Sequence, residues 1–152
     1  MNSLPNRLRK GFTLVELLIV IGILGILLAI VLVALNPARQ FAQANNTRRR
    51  SDVNALLNAI HQYAADNKGK TPTGLTTTVQ NMSNTAADIC AVLVPTYIAQ
   101  LPVDPGTNNG VPVSDCTAAY DTGYQVVTSA TNSRVTVSAS GAELNEVISV
   151  TR

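Results

Sequence analysis

The apolar positions divide the chain into three stretches with different periods. From Phe12 to Leu35, 24 residues are broken only by Thr13, Glu16, Gly22 and Gly25, and residues 17–35 carry no polar side chain. Apolar all round is the pattern of a helix with no water-facing side. At 1.5 Å per residue the run covers about 36 Å as an α-helix, enough to cross a ~30 Å hydrocarbon layer with tilt. Gly22 and Gly25 either loosen this helix or let another helix approach it, and the sequence favours neither. Asn36-Pro37 follows, where the proline ring and missing N–H predict a kink.

From 38 to 67 the apolar positions become one-sided. Val53, Leu56, Leu57, Ile60, Tyr63 and Ala64 recur at helical spacing on one face. Arg48, Arg49, Arg50, Asp52, Asn54 and Asn58 fall mostly off that face; the arginine run reads first as a solvated face, with contact to lipid headgroups or to an acidic neighbour as the sharper alternative. A single unbroken helix over residues 12–67 would measure about 84 Å. Lys68-Gly69-Lys70-Thr71-Pro72 stops it. A Thr- and Asn-rich connection runs to about Thr85, a short helix is predicted over 86–94, and Pro95 ends it.

The third stretch has a period of two. Residues 124–128, 134–138 and 146–150 are β-branched or alternating, with turn residues between them, and predict three short strands. Three strands need a helix over one face to be stable. The fold class is therefore α+β: a long N-terminal helix, membrane-spanning in its first half and amphipathic in its second, packed on a small antiparallel sheet. The organisation expected is a leader over 1–11, a transmembrane helix over 12–35, a continuing amphipathic helix over 36–67 and an exported domain over 68–152.

Composition sharpens the membrane reading. The 152 residues are 46% hydrophobic but only 13% charged and 4% aromatic. The charged fraction is about half that of an average soluble domain. The net charge of +2 comes from Arg7, Arg9 and Lys10, which leave eight basic and nine acidic residues after them. This balance argues against a strongly cationic nucleic-acid-binding domain. The leading cations place the N-terminus in the cytoplasm and the polar half outside, although Arg39 and Arg48–Arg50 beyond the span bring the count close to even.

Candidate chemistry is sparse. One histidine, His61, reads as a surface or boundary residue, and no nucleophile elbow or phosphate-binding loop is present. Catalysis is not expected. Cys90 and Cys116 are too few for a zinc site. They fit a disulfide in an oxidising compartment or two separate buried thiols, and the disulfide is the expectation outside the cytoplasm. Asp104, Asn108, Asn109, Asp115 and Asp121 gather oxygen ligands of the kind calcium prefers. Such loops are common in so polar a chain, and neither metal nor cofactor is assigned. Asn45-Asn46-Thr47 and Asn81-Met82-Ser83 fit a glycosylation sequon at the frequency chance allows.

Glu16 is the anomaly. A carboxylate in a membrane helix costs roughly 2–3 kcal/mol unless it sits near the headgroups or finds a partner. Arg7, Arg9 and Lys10 are the local cations. The surrounding residues Gly11-Phe12-Thr13-Leu14-Val15-Glu16, behind a short basic leader and ahead of an apolar helix, resemble the type IV prepilin signature. Leu101-Pro102-Val103-Asp104-Pro105 is similar to a passage of major pseudopilins and Gram-positive-type pilins.

The resemblance implies a pilin-like fold and a structural role. It implies cleavage between Gly11 and Phe12 by a prepilin peptidase, methylation of the Phe12 amine, and pairing of Glu16 with a neighbouring subunit's N-terminal amine. Its implied partners are identical or related pilin subunits, an assembly ATPase and platform machinery, and membrane lipid before assembly. The site expected is a single-pass inner membrane, then an extracellular or periplasmic filament. Two readings compete with a pilus subunit: a major pseudopilin of type II secretion, and a soluble binding domain released after Ala44, where Ala42-Gln43-Ala44 offers a signal-peptidase pattern.

Overall fold

The computed structural model describes residues 11–152. Leader residues 1–10, with the cations Arg7, Arg9 and Lys10, lie outside the described residues. The chain divides after Gln40 into two compact units.

The first unit is built on helix α1, Leu14–Ala34, none of whose residues is buried. It is long and apolar enough to cross a membrane. Adding a Cβ at Gly22 or Gly25 would meet nothing within 4 Å in the single chain. The predicted interruption is a full break. Leu35 closes α1, Asn36 turns left-handed with φ 42°, and Pro37 opens helix α2, Pro37–Asp66. Proline at a first helical position loses nothing, because that N–H has no partner there anyway. The Asn36 carboxamide accepts from the Arg39 N–H at 3.3 Å, the bond of an N-cap.

In the second unit α2 supplies one wall of the core. Val53, Leu56, Leu57 and Ile60 are fully buried, as the helical spacing predicted. Lys68 and Gly69, both left-handed, end the helix, and the Gly69 N–H donates to Ala64 O. The other wall is a four-stranded antiparallel sheet of β1, Gln80–Ser83; β2, Asp121–Thr128; β3, Val135–Ala139; and β4, Ile148–Thr151, in that spatial order. Val126 pairs with Val137, and Val137 with Val150. Alternation buries Tyr124 and Val126 from β2 and Val135 and Val137 from β3. With Met82, Ile89, Leu93 and Leu101 these side chains form one apolar cluster with α2.

The sheet has one strand more than predicted. Gln80-Asn81-Met82-Ser83 contains no β-branched residue, so propensity alone assigns it to a loop. Its pairing with β2 and the complete burial of Met82 override that preference. The short helix predicted over 86–94 contracts to α3, Cys90–Leu93.

Candidate functional site

The N-terminal motif lies at the start of α1. Thr13 is extended and caps the helix. Its N–H and hydroxyl both donate to Glu16 Oε2, at 2.8 and 2.9 Å, and the Glu16 N–H donates back to Thr13 Oγ1 at 3.2 Å. This capping box satisfies two N-terminal donors that an isolated helix leaves open. Thr-x-x-Glu before an apolar run is its sequence signature, and the sequence reading missed it. The expected leader cations fall on residues outside those described, whereas Thr13 is a partner within the motif. Phe12 is 88% exposed, and among the described residues nothing lies within 4 Å of a Cβ placed on Gly11.

The second unit holds a polar centre that the sequence reading placed on a solvated face. Successive helix residues point about 100° apart, and the three arginines take three directions. Arg49 is buried with Asp104, their side chains 3% and 4% exposed. Its Nε donates to Asp104 Oδ2 at 2.6 Å and its Nη2 to Oδ1 at 3.0 Å, a bidentate fork. Its Nη1 donates to Glu143 Oε2 at 2.7 Å and to Asn46 Oδ1 at 3.0 Å. Arg48 donates to Gly110 O at 2.7 Å, and Arg50 pairs with Glu146. One turn of α2 therefore grips the 104–110 loop on one side and the 140–146 loop on the other.

The loops are shaped to receive this grip. Gly123 has φ 72°, and a Cβ there would meet Thr107 Oγ1 at 2.5 Å and Asp104 Cβ at 2.9 Å. At Gly110, φ 65°, a Cβ would meet Arg48 Nη1 at 2.9 Å. Asn46 is fully buried; its Nδ2 donates to Glu143 O at 2.8 Å and its Oδ1 accepts from Glu143 N–H at 2.9 Å. The first sequon therefore lies in a structural contact, with Asn45 Nδ2 itself bonded to Glu143 Oε2 at 3.0 Å.

Charge states follow from these contacts. Burial pushes the Asp104 carboxyl up, but the Arg49 hydrogen bonds, the Gly106 N–H and the neighbouring cationic charges outweigh it and leave the carboxyl below its ordinary value. Hydrogen bonds from Arg49 and Asn45 likewise hold Glu143 down. Asp52 goes the other way. Desolvation raises it despite the Tyr124 hydroxyl donating at 2.8 Å and the charge of Arg48. Arg49 itself is raised, its bonds to Asp104 outweighing burial.

Cys90 and Cys116 are joined by a disulfide, with Cα atoms 5.4 Å apart, tying α3 to the loop before β2. The oxygen-rich loop residues serve their own chain. Asp104 holds Arg49 and Gly106, Asp115 accepts from Thr117, and Asp121 accepts from the Gly123 N–H. No group of three or more His, Cys, Asp or Glu side chains among the described residues is arranged to hold a metal. His61 is half-buried, with Nε2 shielded from water and unbonded.

An uncovered apolar helix, capped by a threonine and a glutamate and leading into a disulfide-tied α+β domain, is the build of a membrane-anchored structural subunit. Residues 6–32 match the family described as the prokaryotic N-terminal methylation motif. The chain is 36% identical over 107 residues to type II secretion system core protein G of Aeromonas hydrophila, covering 69% of this chain and 73% of that protein. It is 35% identical over 108 residues to fimbrial protein EcpC of Eikenella corrodens, covering 70% of this chain and 61% of that protein. No solved structure matches the chain. The chain belongs to the type IV pilin-like family. Membership implies processing by a prepilin peptidase and polymerisation with related subunits.

Proposed function

We propose that the chain is the subunit of a type IV pilus-like filament, made as a prepilin, cut between Gly11 and Phe12, methylated at the Phe12 amine and polymerised through α1. The observation that carries this reading is the capped start of α1. The Gly11–Phe12 bond precedes a 21-residue apolar helix with no cover of its own and a carboxylate at Glu16. Cleavage before Phe12 creates an amine, and in a filament a neighbour's amine meets Glu16. Opposite charges in a low-dielectric bundle attract strongly, and each is costly alone. The subunit waits in the inner membrane with its N-terminus in the cytoplasm, and an assembly ATPase and its platform draw it into the filament.

A secretion pseudopilus is the second reading, supported by the 73% coverage of the secretion-system relative. The two separate by phenotype: deletion of a pseudopilin abolishes export of a secreted enzyme, whereas deletion of a pilus subunit removes surface filaments and leaves export intact. The common core of both is tested by Glu16→Ala. That variant should be cleaved after Gly11 and fold, yet pellet poorly in the sheared-filament fraction. Incorporation equal to wild type, at equal expression and with no wild-type copy present, refutes the charge pairing. A mature N-terminus at Asn45 would instead establish the soluble domain.

A further inference from the structure

We propose that Leu144 and Val147 form a hydrophobic anchor by which the domain of one subunit seats on the uncovered helix α1 of a second copy, a proposal that rests on the filament-subunit reading. These two side chains sit on the loop between β3 and β4, 43% and 92% exposed. Leu144 and Asn145 are both left-handed, φ 59° and 57°. Two consecutive non-glycine residues in that region are strained, and a leucine especially so. Such backbone persists only where its surroundings over-determine it, and it concentrates at functional surfaces.

The over-determination is visible. Just before Leu144, the Glu143 backbone is bonded through both N–H and C=O to the buried Asn46 carboxamide, and its carboxylate to Asn45 and Arg49. Just after Asn145, the Glu146 N–H donates to Glu143 O at 3.2 Å and its carboxylate pairs with Arg50. The tip is thus pinned to α2 on both sides of the strained pair. A loop held this firmly in an unfavourable shape presents its apolar side chains without further ordering, which lowers the cost of binding.

The occupant is fixed by chemistry and by symmetry. Both acids of the tip are already paired to arginines, so its charge is compensated, and Leu144 and Val147 are its exposed apolar side chains beside Asn145. Helix α1 is its complement on the same molecule: 21 residues with no buried side chain, and no charge after Glu16. Tip and helix are different surfaces, so the contact is head-to-tail, and in the proposed filament it repeats from copy to copy.

The test is a photo-crosslinker, benzoylphenylalanine, placed at Val147 of the full chain in cells that assemble the filament. Irradiation should yield covalent dimers in the sheared-filament fraction, with the second peptide mapping inside residues 14–34. Adducts to lipid, to another protein or to a region outside α1 overturn the anchor. In parallel, Val147→Asp should lower the ratio of filament to membrane-retained subunit about tenfold. It should keep the cleaved N-terminus and the Cys90–Cys116 bond. Val79→Asp, which also replaces a valine 60% exposed, should assemble normally. Normal assembly of Val147→Asp, or an equal loss in Val79→Asp, refutes the anchor alone. A wild-type chain that forms no filament with its machinery present removes the subunit reading and the anchor together.

Discussion

Replacing Arg49 with methionine should damage the second unit more than any surface charge change, and the structure says by how much. The substitution keeps an apolar stem of similar length and removes the guanidinium from Asp104, whose side chain is 4% exposed. Asp104 would keep only the Gly106 N–H at 2.8 Å among its charge-stabilising contacts on the 104–110 loop. Breaking a buried pair by removing one partner costs about 3–5 kcal/mol, because the remaining charge is left without compensation. Against a typical total of about 5–15 kcal/mol that is a large fraction. With a urea dependence of about 1–3 kcal/mol per molar, the midpoint should fall by roughly 2 M. The assay is pulse proteolysis of the full chain in detergent micelles across a urea series, scored on fragments from residues 41–152. Adding Asp104→Asn to Arg49→Met should recover part of the loss, since the amide removes the stranded charge while retaining an acceptor for Gly106. A midpoint for Arg49→Met within about 0.3 M of wild type, given the same slope, would refute the reasoning. So would a double variant as unstable as the two single losses added together.

Four further outcomes are expected. The Asp104 carboxyl is lower in the folded state than its ordinary 3.8, so the unfolded chain binds the proton first. Its contribution is complete above that value and is lost as pH falls toward the folded one; urea midpoints should drop below about pH 4, and less steeply in the Arg49→Met/Asp104→Asn double variant. Asp52, raised by burial, works in the opposite sense: stability drains as pH rises through its window, so Asp52→Asn should hold or raise the midpoint at pH 7 and leave it unchanged at pH 3. Opening the Cys90–Cys116 bond, which spans 26 positions, should cost about 3 kcal/mol, and full alkylation of both thiols in the unreduced exported protein would count against the bond. Finally, Gly11→Leu should leave an intact-mass species that retains residues 1–11, and normal trimming of that variant would remove the proposed cleavage site.

What could be read from the sequence and what could not divide along one physical line. Contacts local in sequence leave a pattern. The apolar run, the break at Asn36-Pro37, the one-sided spacing of Val53, Leu56, Leu57 and Ile60, and the alternation of β2 and β3 are all visible before folding. The Thr13–Glu16 capping box belongs to the same class, because Thr-x-x-Glu ahead of an apolar run is a pattern within four residues. Contacts distant in sequence leave no such trace. Strand β1 exists because β2, some forty residues later, offers an edge. Arg49 meets an aspartate 55 positions away and a glutamate 94 away.

The arginine run shows why composition misleads at such a point. Three adjacent cations on a helix point in three directions, so they cannot share one environment. One of them must lie near the buried stripe that carries Asn46 and Val53, and Arg49 occupies that position, three residues from one and four from the other. A guanidinium there is tolerable only if the fold brings it carboxylates, and the Asp104 of Leu-Pro-x-Asp-Pro is one of them. The short motif that looked like a loop and the arginine that looked like surface are two halves of one buried pair. The pairing also explains the crowding of Gly106, Gly123 and Gly141 around Asp104, where an added Cβ would come within 3.2 Å of that side chain. Helix α2 and the loops that shape the outer surface of its unit are thereby fixed to each other at a single turn, so a strain on either loop is borne by Arg48, Arg49 and Arg50.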